Sequence, residues 1–113
     1  MTDLKLIVDK LKELSKNSSV TIKPNKVAFE LAKELLVTFK KINIYPRDVV
    51  ALDAGGISFS FNAPKTLGTI EVYNNGDTIF GEYSDEAIAT VPGDTNSESV
   101  RKFIKLLKLS WKD

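Results

Sequence analysis

The chain has 113 residues, 42% of them apolar and 27% charged, with a formal net charge of +1. This length and composition predict one globular domain over residues 1–113 and exclude both a disordered chain and a strong bulk attraction to nucleic acid or membrane. Because the sequence contains neither cysteine nor histidine, disulfides, thiolate chemistry, a Ser-His-Asp triad and histidine-ligated zinc are excluded as well.

Two helices are predicted before the middle of the chain. The first covers residues 3–15, with Thr2 as its N-cap, because apolar side chains recur there at intervals of three and four. The second covers about residues 26–42 and begins after Asn25, which is a favourable N-cap residue. The segment between them is expected to be extended, because the residue before Pro24 is biased away from helix.

From Arg47 the apolar period changes to two, which indicates strands. Four strands joined by short connections predict an antiparallel meander. They are VVALD (49–53), ISFSFN (57–62), TIEVY (69–73) and TIFGEY (78–83). The segment AIATV (87–91) is compatible with either a fifth strand or a loop.

The first hairpin turn is predicted at Gly55-Gly56, because a type I′ turn needs positive φ at both central residues. This register would turn Val50 and Leu52 into the core, on the face of Ile57, Phe59 and Phe61. A phosphate-binding loop fits less well, because a strand rather than a helix follows the glycines and no lysine lies near them.

The second hairpin turn is predicted at Asn75-Gly76 in the same way. Tyr73 would then face Thr78, and Val72 would face Ile79. The side chains expected to point away from the core under this register are Ser58, Ser60, Glu71, Tyr73, Thr78, Phe80 and Glu82.

A third helix is predicted over about residues 96–111, because Thr95 and Glu98 match a capping box. With two helices before the sheet and one after it, the sequence predicts a two-layer α+β domain whose helices all pack on one sheet face.

Two surfaces are candidates for binding. The first is a protein-binding patch on the outer sheet face, centred on Tyr73 and Phe80 and ringed by Glu71, Glu82, Ser58 and Ser60. The alternative interpretation of that aromatic pair is an ordinary cross-strand contact that stiffens the hairpin, or a pair covered by a terminal segment of the chain. The second is a basic stripe on the last helix formed by Arg101, Lys105, Lys108 and Lys112, which would contact phosphates or an acidic partner, or would serve only to solvate the helix.

Charge is divided unevenly along the chain. Residues 1–50 contain ten Lys/Arg and six Asp/Glu, residues 51–98 contain only Lys65 against eight acids, and residues 99–113 contain five basic residues against Asp113. The sheet is therefore expected to be acidic and the helices basic.

Residues 46–76 resemble a group of short prokaryotic proteins of unestablished activity, in which two helices precede a Gly-Gly-hydrophobic hairpin. The residues that carry the resemblance are Pro46, Gly55-Gly56-Ile57, Phe59, Phe61, Ile70-Glu71-Val72 and Gly76. Such proteins are expected to have an aromatic residue, often Trp, where this chain has Phe61. The resemblance implies a small bacterial or phage-type accessory protein and assigns no binding or catalytic residue.

The sequence therefore predicts a small non-catalytic protein that binds a protein partner, in the manner of inhibitors, immunity proteins and antitoxins. The alternative is a nucleic-acid-binding module that uses the last helix, and a homodimer is a further possibility because strand edges are natural pairing templates. No enzyme activity, cofactor or metal site is predicted. Charges near the N-terminus interrupt any secretory apolar region, and no apolar run is long enough for a membrane span, so a cytoplasmic location without a membrane partner is expected.

Overall fold

The structure is a computed structural model that describes residues 4–16, 21–62 and 66–110. Thr2, Lys65, Trp111 and Lys112 lie outside the described residues. The helices are α1 (Leu4–Lys16), α2 (Lys26–Ile42) and α3 (Ser97–Ser110), and the strands are β1 (Asp48–Leu52), β2 (Gly56–Asn62), β3 (Leu67–Tyr73), β4 (Thr78–Tyr83) and β5 (Ile88–Pro92).

The ends of α2 follow from local hydrogen bonding. The side chain of Asn25 accepts a hydrogen bond from the amide of Ala28 at 3.0 Å, which confirms the predicted N-cap. At the other end, Asn43 adopts a left-handed conformation with φ of 57°, and its amide bonds back to the carbonyl oxygen of Lys40. Asparagine tolerates this conformation better than most residues, so the helix ends there.

The capping box predicted for α3 is wrong by one position. Asn96 rather than Thr95 is the cap, because its side chain accepts a hydrogen bond from the amide of Ser99 at 2.8 Å. Thr95 is buried instead, and its carbonyl oxygen accepts a hydrogen bond from the hydroxyl of Thr38 on α2 at 2.6 Å. That bond ties the start of α3 to α2.

The five strands form one antiparallel sheet in the order β1-β2-β3-β4-β5, which confirms the α+β meander and settles residues 88–92 as a fifth strand. The helices cover one side of the sheet, called here the helix face; the opposite side is called the outer face. Helix α1 lies over β1, and α2 lies over β2 and β3. At the centre of the core, Phe39 of α2 makes edge-to-face contacts with Phe59 and Phe61, at centroid distances of 5.3 and 5.6 Å.

The predicted register of the first hairpin is wrong, because its loop has three residues instead of two. Leu52 pairs with Gly56, and the turn is closed by a hydrogen bond from the amide of Gly55 to the carbonyl of Leu52 at 3.1 Å. Gly55 has a φ of 89°, whereas Gly56 does not have a positive φ and begins β2. Compared with the predicted pairing, β1 is displaced along β2 by an odd number of residues, which exchanges the faces of its side chains. Val49 is therefore fully buried and Val50 is 45% exposed.

The second hairpin differs from its prediction for the same reason. Its loop is Asn74, Asn75 and Gly76, and Gly76 has a φ of 97°. Val72 therefore pairs with Thr78 rather than with Ile79. In both hairpins, a single glycine at positive φ completes the turn. The residue before that glycine needs no positive φ, in contrast to the predicted type I′ turn, which needs it at both central residues.

The two loops and the start of α2 meet at one end of the sheet, where Asn74 connects them. Its amide donates to the carbonyl of Gly55 at 2.9 Å, and its side-chain oxygen accepts from the amide of Asn25 at 2.9 Å. A Cβ on Gly55 would lie 2.6 Å from the side-chain nitrogen of Asn74 and 2.8 Å from a methyl group of Ile22. This crowding gives Gly55 a structural role.

None of the helices within the described residues is both long and apolar enough to cross a bilayer.

We predict that Gly55→Ala lowers the free energy of unfolding more than Gly76→Ala does. Both glycines have positive φ, where an alanine costs about 1–2 kcal/mol. A Cβ at Gly76 would meet only Val27, at 4.0 Å, whereas at Gly55 it would meet Asn74 and Ile22 at much shorter distances. Urea unfolding of the two variants measures the difference, and equal losses would contradict the crowding at Gly55.

We also predict that Phe80→Ala costs about 3–5 kcal/mol of unfolding free energy, whereas Ile79→Ala costs clearly less. Phe80 is buried and its ring stacks on that of Phe103 at 4.8 Å, while Ile79 is only partly buried on the outer face. Equilibrium urea unfolding gives both values. The opposite order would restore the register predicted from the sequence.

Candidate functional site

The predicted outer-face patch is divided between the two faces of the sheet. Ser58 pairs with Glu71 and Ser60 with Thr69, and these side chains lie on the outer face together with Tyr73. Phe80 lies on the helix face instead, because it pairs with the buried Ile70. The predicted Tyr73/Phe80 pair is therefore wrong.

Glu82 and Thr78 are also on the helix face. Glu82 pairs with Gly68, where a Cβ would meet the side chain of Leu107 on α3, and Thr78 pairs with the buried Val72. The prediction that Glu82 and Thr78 lie on the outer face is therefore wrong, as it is for Phe80, because the whole of β4 is shifted by one residue relative to β3.

The outer face carries a buried carboxylate at its centre. Glu71, in the middle strand β3, is only 7% exposed. Its side chain accepts hydrogen bonds from the hydroxyls of Tyr73 at 2.8 Å, Tyr83 at 3.2 Å and Thr69 at 3.3 Å. Burial of a carboxylate is costly unless such donors satisfy it. We call these four residues the Glu71 cluster.

Tyr83 is not among the residues that the sequence places on the outer face. In the structure, the position of its ring on that face depends on Gly81. A Cβ on Gly81 would lie 2.7 Å from the ring of Tyr83 and 2.7 Å from the hydroxyl of Thr69. The missing side chain lets the Tyr83 ring lie over β4 and reach Glu71. With the correct hairpin register, the alternation of β4 would have placed Tyr83 on this face.

The tyrosines of the Glu71 cluster hold their protons strongly. Burial raises the pKa of Tyr73 to about 12, and the hydrogen bond that its hydroxyl donates to Glu71 adds to the rise. Burial also raises the pKa of Tyr83, and the negative charge of Glu71 adds to that shift. Both hydroxyls therefore donate hydrogen bonds at neutral pH, and a protonated phenol is a weak nucleophile.

Strand β5 is the most exposed element of the sheet. All five of its residues are exposed, including Ile88 at 72% and Val91 at 55%, and none is charged. Within the described residues, β5 pairs only with β4. The other edge strand, β1, is protected differently, because Asp48 forms an ion pair with Lys10 of α1.

The unpaired backbone groups of β5 can be assigned from its bonds to β4. Just beyond the two ends of β5, the amide of Gly93 donates to the carbonyl of Thr78 at 2.8 Å, and the amide of Ser84 donates to the carbonyl of Ala87 at 2.9 Å. Bonded positions alternate along an antiparallel pair, so Ala89 and Val91 face β4. The residues whose backbone groups face away from β4 are Ile88, Thr90 and Pro92.

Acidic residues lie on both sides of β5 in the sequence. The sequence from residue 66 to residue 100 contains no Lys or Arg. Its acids are Glu71, Asp77, Glu82, Asp85, Glu86, Asp94 and Glu98. Asp85 and Glu86 are exposed immediately before β5, and beyond its other end a pocket of about 460 Å³ is lined by Glu34, Asp77 and Asp94.

The basic stripe predicted on α3 is described only in part. Arg101 and Lys105 are exposed, which agrees with a solvated or binding face. The side chain of Lys108 and the whole of Lys112 lie outside the described residues. A contact between this stripe and nucleic acid therefore stays a prediction.

No group of three or more acidic side chains in the described parts of the chain is arranged to hold a metal ion.

Comparisons with protein-family models, with curated proteins and with solved structures return no match, so no residue of this chain takes a role from a relative.

We predict that Tyr73→Phe reduces the loss of stability between about pH 10 and pH 12. The pKa of Tyr73 is raised from its ordinary value of 10.0 to about 12. Between these values the unfolded chain has released this proton and the folded chain has not, so stability falls as pH rises. Urea unfolding across this range measures the slope.

Tyr45→Phe is the matched control, since the hydroxyl of Tyr45 bonds to Asn43 outside the Glu71 cluster. In a spectroscopic titration of tyrosinate, the phase near pH 12 should disappear in Tyr73→Phe and persist in Tyr45→Phe. Its persistence in both variants would contradict the assignment to Tyr73.

Proposed function

We propose that this protein is a small non-catalytic binding protein that acts through contact with another protein, as inhibitors, immunity proteins and antitoxins do. We further propose that β5, rather than the outer-face patch, is its contact surface. The observation that carries this proposal is that β5 is exposed at every residue and lacks charge.

An edge strand with these properties is a template for pairing. Monomeric proteins usually protect a free edge with charged side chains, bulges or proline, and β5 has only Pro92 at its end. Besides free backbone groups, β5 offers exposed apolar side chains to a partner. Ile88 and Val91 lie on opposite faces of this edge. A partner strand would bury both side chains and satisfy the free backbone groups at once.

The Glu71 cluster supports this choice of surface indirectly. The hydroxyls of Tyr73, Tyr83 and Thr69 are already directed at the buried carboxylate. A partner at the outer face would have to compete with these bonds. Among the described residues, pairing at β5 breaks no backbone hydrogen bond, since Ile88, Thr90 and Pro92 face away from β4.

We predict that Thr90→Pro abolishes stoichiometric capture of a protein partner from a lysate of the native cells. Proline removes one amide that faces away from β4, and its ring obstructs an added strand. Val50→Lys is the matched control, because Val50 is an exposed apolar residue of β1, at the opposite edge of the sheet from β5. Quantitative affinity capture with the wild-type chain and both variants measures the effect.

The proposal requires the Val50→Lys chain to retain the partner. Equal recovery of one partner by wild type and Thr90→Pro would exclude β5 as the contact surface. Circular dichroism and urea unfolding of Thr90→Pro check that the variant is folded.

A further inference from the structure

We infer that β5 accepts an extended, positively charged peptide segment as a sixth strand of the sheet. This inference rests on the proposed function and specifies the chemistry of the partner. The segment would have apolar residues opposite β5 and Lys or Arg residues on both sides of them.

The backbone of β5 sets the length of the bound segment. Ile88 and Thr90 each present an N–H and a C=O away from β4, and Pro92 presents only a C=O. Two donors and three acceptors lie along five residues, which matches a partner strand of about five residues. Because Pro92 lacks an N–H, pairing ends at this residue.

The side chains of β5 favour apolar residues at the centre of the segment. Ile88 pairs with Tyr83 and so lies on the outer face, while Val91 pairs with Phe80 and lies on the helix face. An added strand places its side chains beside both of these residues, on alternate faces. Apolar side chains on each face of the segment would therefore be buried.

The charges around β5 favour basic residues at the ends of the segment. Asp85 and Glu86 lie before the strand, and Asp94 lies after it, beside the pocket that Glu34 and Asp77 also line. With no Lys or Arg between residues 66 and 100, the sequence around the strand supplies no opposite charge. Lys or Arg side chains of a partner would supply it and would speed association.

The same charges argue against a second copy of this chain as the occupant. If two β5 strands paired antiparallel about Thr90, Ile88 of one copy would face Pro92 of the other, and Glu86 would face Asp94. Like charges placed directly opposite each other destabilise strand pairing. Self-association through β5 is therefore disfavoured, while a basic segment is attracted.

Selection from a random peptide display library tests the inference without assuming a sequence. The library is selected on the intact wild-type protein and counter-selected on Thr90→Pro. We expect the enriched peptides to have a short apolar stretch with Lys or Arg on both sides. Enrichment of acidic or neutral peptides, or no enrichment over the counter-selection, would overturn the inference.

A charge-reversal variant tests the electrostatic part without altering the strand. Asp85→Lys/Glu86→Lys changes two exposed turn residues and leaves every residue of β5 in place. We expect it to bind a selected basic peptide about tenfold more weakly than wild type in fluorescence anisotropy at low salt, and the difference to shrink at high salt. Unchanged affinity would show that the acidic turn takes no part.

Amide hydrogen exchange followed by NMR locates the bound peptide. The amides of Ile88 and Thr90 should gain protection when the selected peptide is added. The amides of Ala89 and Val91 already face β4 and serve as internal controls. Protection of Ile88 and Thr90 that rises with protein concentration alone would identify a second copy as the occupant and overturn the inference.

The results separate this inference from the proposed function. If Thr90→Pro prevents capture from lysate but the selected peptides lack basic residues, the partner chemistry is wrong and β5 remains the contact surface. If Thr90→Pro captures the partner as well as wild type, the proposed contact surface itself is wrong.

Discussion

The length of two hairpin loops determines which side chains of this sheet enter the core. Each loop has three residues and ends in a glycine at positive φ, Gly55 or Gly76. Since side chains alternate between the two faces of a strand, one residue more or less in a loop reverses the faces of the adjoining strand. The loop at Gly55 directs Val49 rather than Val50 into the core, and the loop at Gly76 does the same for Phe80 rather than Ile79.

The position of the helices determines the chemistry of the other face. With α1, α2 and α3 on one side, the apolar side chains of β2 and β3 gather there, and their alternate residues are left on the outer face. Glu71 is one of these residues, and it is buried because Tyr73 and Tyr83 cover it while donating hydrogen bonds. An unsatisfied buried carboxylate would cost far more than one bonded to three hydroxyls. The hydroxyls beside Glu71 are thus already engaged, whereas the backbone groups of Ile88, Thr90 and Pro92 on β5 face away from β4.

The sequence predicts the element order, the cap at Asn25 and the inward faces of β2 and β3, because each depends on a local or strongly alternating pattern. It predicts the faces of β1 and β4 incorrectly, since both strands contain two adjacent apolar residues, Val49-Val50 and Ile79-Phe80. Alternation gives no preference between such neighbours, so the register inferred from the sequence depends entirely on the loop length. The same ambiguity hides the Glu71 cluster from the sequence, because an incorrect β4 register turns Tyr83 away from Glu71.

A strand edge that binds other proteins must also avoid pairing with copies of itself. Charge within β5 would prevent self-pairing but would also weaken contact with any apolar partner strand. In this chain the charges lie beyond the strand, at Asp85, Glu86 and Asp94, and all have the same sign. Antiparallel copies would bring these acids together, whereas a segment with basic ends would not. Under the proposed function, the placement of acids beside an uncharged edge would combine protection from self-pairing with a preference for one class of partner.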